Sequence, residues 1–196
     1  MKTSLTQWIK QNSVLLANTG SLIGTMVVTS VLGSAYWWLA ARRFTTAAVG
    51  LASASTSAMM FIASCFLLGL GTLLISELPR NKGHEGSLIS AAVLLVGGVS
   101  VLGGALFAVL APFISPDLRP IGANIQNILL FAAGVSLTAV TVILDQAVIG
   151  LLRGGLQLWR NALFSVAKLA LLFLLSLWLT NLTGMTIYAA WTIGNA

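Results

Sequence analysis

Gln11 to Ala41, QNSVLLANTGSLIGTMVVTSVLGSAYWWLAA, is 31 residues without one charged side chain. At a rise of about 1.5 Å per residue, a helix of about 20 residues crosses the ~30 Å apolar layer of a membrane. The stretch therefore holds one spanning helix and its exits. Three more uncharged runs follow, Phe44 to Ser76, Gly86 to Pro116 and Pro120 to Leu144, of 33, 31 and 25 residues. Only 7% of the 196 residues are charged and 58% are hydrophobic, against roughly a quarter charged in soluble domains. An all-α integral membrane protein follows, a bundle of about six helices with spans expected near 14–41, 46–76, 87–111, 121–150, 161–180 and 184–196. The last is too short to cross: 13 residues make about 20 Å of helix. The chain is thus expected to be the N-terminal piece of a longer protein or a truncated product.

Cys65 is the only cysteine, which excludes an internal disulfide and a cysteine-built metal site. His84 is the only histidine, and with four acids the chain has no nucleophile–base pair to assemble, so an enzyme is not expected. The net charge of +6 does not indicate nucleic acid, because the basic residues are scattered between spans and read as topology signals. With a cytoplasmic N-terminus, Lys2, Lys10, Arg80, Lys82, Arg153 and Arg160 lie inside, and Arg42, Arg43 and Arg119 outside. In that frame Gly154 and Gly155 let the chain turn at the membrane surface, and Arg153 and Arg160 face the headgroups. Gly69 and Gly71 read as tight-packing positions.

Polar groups inside the spans are the functional candidates. Asn18, Ser21, Thr25 and Thr29 share one face of the first span, and Asn127, Gly134, Thr138, Thr141 and Asp145 one face of the fourth. The two stripes either line a wet path or let helices pack and hydrogen-bond across interfaces. Asp145 is too short to reach water and needs a partner: Lys168, Arg153 or Arg160 in an ion pair, or else a coupling ion or substrate. Lys168, read as two turns into the fifth span, is expected to snorkel toward the cytoplasm. No cofactor is expected beyond a coupling proton or sodium ion.

The stretches NTGSLIGTMVVTSVLGSAYWWLAARRF and VGLASASTSAMMFIASCFLLGLGTLLISELPRN, together with LDQAVIGLLRGGLQLWRN, resemble the polysaccharide and oligosaccharide-lipid flippase branch of the multidrug/oligosaccharidyl-lipid/polysaccharide exporter superfamily. The resemblance implies an N-terminal lobe of a two-lobed alternating-access transporter, completed by a missing C-terminal half or a second copy. It also implies that a lipid-linked saccharide moves from the inner to the outer leaflet of a bacterial-type plasma membrane, its lipid tail left in the bilayer. Such flippases often bind an anionic headgroup through basic residues in the cavity, whereas the first three spans here carry none near mid-membrane. A drug/cation antiporter of the same superfamily would need an acid deep in the first or second span, and a non-transporting scaffold of a polysaccharide-synthesis complex would need no polar path.

Overall fold

The computed structural model describes residues 13–81, 83–178 and 183–195. Among these the chain is helical, with no strand: α1 Ser13–Arg43, α2 Thr46–Phe66, α3 Leu70–Glu77, α4 Glu85–Ile114, α5 Arg119–Gly122, α6 Ile125–Gly150, α7 Gly154–Trp178 and α8 Gly184–Ile193. Five of them, α1, α2, α4, α6 and α7, are long and apolar enough to cross a membrane, as fits a multi-pass membrane protein. Lys2, Lys10 and Lys82, and the expected span ends at 179–180 and 196, lie outside the described residues.

The bundle is small-sided within and greasy without. The buried face of α4 is Ala92, Val96, Ser100, Gly104, Ala108 and Ala111, while Leu94, Leu102, Leu106 and Phe113 point outward at 62 to 85% exposure. Lipid tails are as apolar as leucine, so water does not press these helices together. Close backbone approach does. A Cβ on Gly104 would stand 2.9 Å from Ala132 Cα of α6, and Ser136 donates to the Gly97 carbonyl at 3.0 Å. α4 and α6 thus pack along their length, with α2 and α3 beside α6. α1 packs in the same way along α7.

Several boundaries differ from the sequence reading. The expected second span, 46–76, is broken at Leu67–Gly69, where Leu68 (φ 51°) and Gly69 (φ 74°) are left-handed and stop α2. Gly69 serves that turn and has open space around it. Gly71 does pack closely, since a Cβ there would come within 2.9 Å of Gln146 Cγ. The third span runs through Pro112 to Ile114, and the fourth restarts at Asn124, whose side chain caps α6 by accepting from the Asn127 N–H at 2.8 Å. The fifth begins at Gly154 rather than 161. The turn is only Leu151–Arg153, and Leu152 (φ 55°), not the glycine pair, carries the left-handed residue.

Candidate functional site

α6 and α7 form a V whose apex is the Leu151–Arg153 turn. The bonds joining its arms are polar and lie within about three turns of the apex: Arg160 Nη2 donates to Asp145 Oδ1 at 2.5 Å and to the Thr141 carbonyl at 3.0 Å, and Asn161 Nδ2 donates to the same Oδ1 at 2.9 Å. Of the three partners open to Asp145, the structure selects Arg160. This guanidinium therefore does not face the headgroups, because the earlier start of α7 places it six residues inside the helix.

Toward the mouth of the V, α8 stands between the arms as a wedge. On the α6 side Tyr188 donates to the Phe131 carbonyl at 3.2 Å and stacks on the Phe131 ring. Gly134 makes room for it: a Cβ there would come within 2.9 Å of Tyr188 Cζ and Thr192 Oγ1. On the α1–α7 side Tyr36 donates to the Ile187 carbonyl at 2.6 Å, within an apolar cluster of Ala40, Leu172, Ile187 and Ala190.

Between apex and wedge lies a cavity of about 400 Å³. Its walls are Thr25, Thr29, Ser30 and Gly33 of α1, Met60 of α2, Asp145 of α6, and Asn161, Ser165 and Lys168 of α7, with Tyr36 and Trp191 toward the wedge. Thr25, Thr29 and Ser165 donate their hydroxyl protons to the carbonyls of Ser21, Thr25 and Asn161, four residues earlier in their own helices, at 2.7 to 2.8 Å. Their oxygens keep lone pairs, so toward a ligand these side chains are acceptors.

Lys168 departs most from the sequence reading. Fourteen residues beyond Gly154, about 21 Å along the helix, it is mid-span, where snorkelling is out of reach. Its ammonium sits 4.5 Å from the centre of the Trp191 ring, and among the described residues it has no carboxylate partner. Trp191 is braced edge-on by Tyr36, at 5.1 Å between centroids, and flanked by Trp37 at 6.1 Å.

Of the α1 stripe, Thr25 and Thr29 reach the cavity. Ser21 bonds back to the Ala17 carbonyl, and Asn18 sits at the apex, where its Oδ1 accepts from the Gly154 N–H at 2.6 Å. Of the α6 stripe only Asp145 lines the cavity. Asn127 donates to the Pro120 carbonyl at the start of the helix, Thr138 donates to Met59 Sδ at 3.4 Å, and Thr141 takes part through its carbonyl. The missing wall is α7. Asn161, Ser165 and Lys168 are spaced four and three apart, a one-face signal as plain as the two stripes read from sequence. Tyr36 and Trp191 gave no such signal, since aromatic residues near a span end read as interfacial anchors.

The chain matches no protein-family model, no curated protein and no solved structure.

Proposed function

We propose that this chain supplies a substrate-binding bundle of a transporter that moves a lipid-linked saccharide from the cytoplasmic to the outer leaflet of a plasma membrane. The observation that carries this reading is Lys168: a mid-span ammonium with no carboxylate partner among the described residues, on the wall of a cavity whose other polar groups are hydroxyls, an amide and the Asp145 carboxylate, the last already paired with Arg160. A cation at the centre of a spanning helix costs about 2.5 to 3.5 kcal/mol on insertion scales, so its default reading is functional. The phosphate that links a saccharide to its lipid is the complementary charge. The sugar hydroxyls meet the acceptor oxygens of Thr25, Thr29 and Ser165, which spares them the several kcal/mol each would cost unpaired in hydrocarbon. The far side of the α1–α7 pair, Ala35, Trp38, Leu39, Val166, Leu169 and Phe173, is an apolar groove suited to acyl chains, so a tail can stay in the bilayer.

Asp145 enters this reading as a structural group rather than the carrier of a coupling proton or sodium ion, because Arg160 and Asn161 hold its Oδ1. A drug/cation antiporter is less well supported, since Lys168 repels a cationic substrate.

The test is transbilayer movement of a fluorescent lipid-linked saccharide in vesicles containing the protein. Losing one charge-assisted hydrogen bond should slow Lys168→Met about tenfold at equal protein content, with Lys168→Arg close to wild type. A Lys168→Met protein moving the lipid at the wild-type rate would overturn the proposal.

A further inference from the structure

The contact that stabilises Lys168 also holds the wedge. Trp191 belongs to α8, and it is the group over which the ammonium rests; a Cβ on Gly194, three residues on, would stand 2.9 Å from the Lys168 backbone. At the same level Tyr36 of α1 braces Trp191, so Lys168 and Tyr36 together tie α8 to the α1–α7 pair. At the apex the arms of the V are fastened by Asp145, Arg160 and Asn161 and joined by a turn of only three residues. The apex is therefore fastened by side chains of the two arms themselves, whereas at the mouth the arms meet through α8, which contacts each of them separately.

We propose that anion binding and the seating of α8 compete for the same ammonium. An indole face holds a cation through its quadrupole, whereas a phosphate holds it through a full charge and charge-assisted hydrogen bonds. A phosphate entering the cavity draws Nζ off the Trp191 ring. α8 then loses its cation–π tie to α7, while the Gly194 approach to the Lys168 backbone, the apolar contacts around Ile187 and Ala190, the Tyr36 hydrogen bond and the Tyr188–Phe131 contact to α6 remain. Occupancy of the cavity is thus transmitted to the mouth of the V, and α8 loosens when substrate is bound. Trp191 is a positioning residue in this scheme: it parks the ammonium in the empty site and marks the site as empty by keeping α8 seated. This rests on the anion reading of Lys168 and goes beyond it by assigning a response to binding.

Thr192, 3% exposed on α8, is the reporter site, since cysteine is nearly its size. The full chain carrying Cys65→Ser and Thr192→Cys is placed in phosphatidylcholine vesicles, and the rate of modification by a small water-soluble thiol reagent is measured with and without decyl phosphate. Binding of radiolabelled decyl phosphate is measured in parallel, and decanol is the uncharged control. Decyl phosphate should accelerate modification about fivefold and decanol should not, the cation–π contact being of that order. Trp191→Leu should modify fast without any phosphate, while Lys168→Arg, which keeps both charge and ring contact, should stay slow and respond. Saturable binding with an unchanged modification rate overturns the coupling and leaves the anion site standing. Absence of saturable binding to the wild-type chain removes both.

Discussion

Arg160 Nη2 and Asp145 Oδ1 stand 2.5 Å apart across the apex of the α6–α7 V, each side chain about one-fifth exposed, and the same guanidinium also reaches the Thr141 carbonyl one turn earlier on α6. This is a structural fastening of two consecutive helices. Removing one partner leaves the other charged and largely dehydrated, so Asp145→Ala and Arg160→Ala should each cost about 3 kcal/mol, the low end of the range for broken buried pairs. The double variant Asp145→Leu/Arg160→Leu should cost much less than the sum. A double-mutant cycle on thermal unfolding in detergent checks this, and additive losses would show that the pair carries no coupling.

Asn18 fastens the same apex from the α1 side. Its Oδ1 accepts from the first N–H of α7, and Gly154 is buried, so the donor is shielded from water that could replace it. Asn18→Ala should therefore cost about 1 kcal/mol, with Asn18→Asp retaining most of it. Gly154→Ala should cost at least as much, because its Cβ would run into the Asn18 Oδ1 and stand 3.0 Å from the Asn18 carbonyl oxygen, and in the Asn18→Ala background, where only the backbone contact is left, it should be partly relieved but still harmful. Unfolding midpoints of the three single variants and the pair measure this. Full rescue of Gly154→Ala by Asn18→Ala would place the clash on the side chain alone.

The spans were legible because an uncharged run longer than a bilayer is thick has few other uses, and α1 and α4 follow the uncharged runs closely. Their partners were not legible. Nothing in the sequence says that α4 lies along α6 and α1 along α7, since both pairings depend on which small residues face each other, Gly104 with Ala132 for instance. The site suffered from one boundary. Reading Gly154-Gly155 as the turn moved the start of α7 by seven residues, which put Arg160 at the headgroups and Lys168 near the surface. A glycine pair is a sound turn signal in water; here Gly154 is needed for close approach to Asn18, and a leucine took the strained position.

That leucine makes its own prediction. Leu152 has φ 55°, a conformation that costs a residue with a Cβ about 1 to 2 kcal/mol and glycine almost nothing. Its side chain is half exposed, so little packing is lost on truncation. Leu152→Gly should leave stability unchanged or raise it by about 1 kcal/mol, whereas Leu151→Gly, one residue earlier and partly buried against the core, should lower it. Melting temperatures of the two proteins decide it, and a loss at Leu152→Gly as large as at Leu151→Gly would mean that the apolar contact outweighs the strain.

We propose an orientation from charge. The ends that carry Arg80 and Arg153 share one side, and those that carry Arg42, Arg43 and Arg119 share the other; counting Lys2, Lys10, Lys82 and Arg160 by their place in the sequence alone, the first side has the excess expected of the cytoplasm. Arg160 is now tied to Asp145 and counts for less as a topology signal, which leaves five against three in the same direction. In a Cys65→Ser background, His84→Cys and Thr46→Cys place exposed thiols at opposite ends of the bundle. A membrane-impermeant maleimide added to intact cells should modify Thr46→Cys at once and His84→Cys only after lysis. The reverse pattern would invert the bundle, turn the apex of the V outward, and require the proposed transport to load from the α8 side.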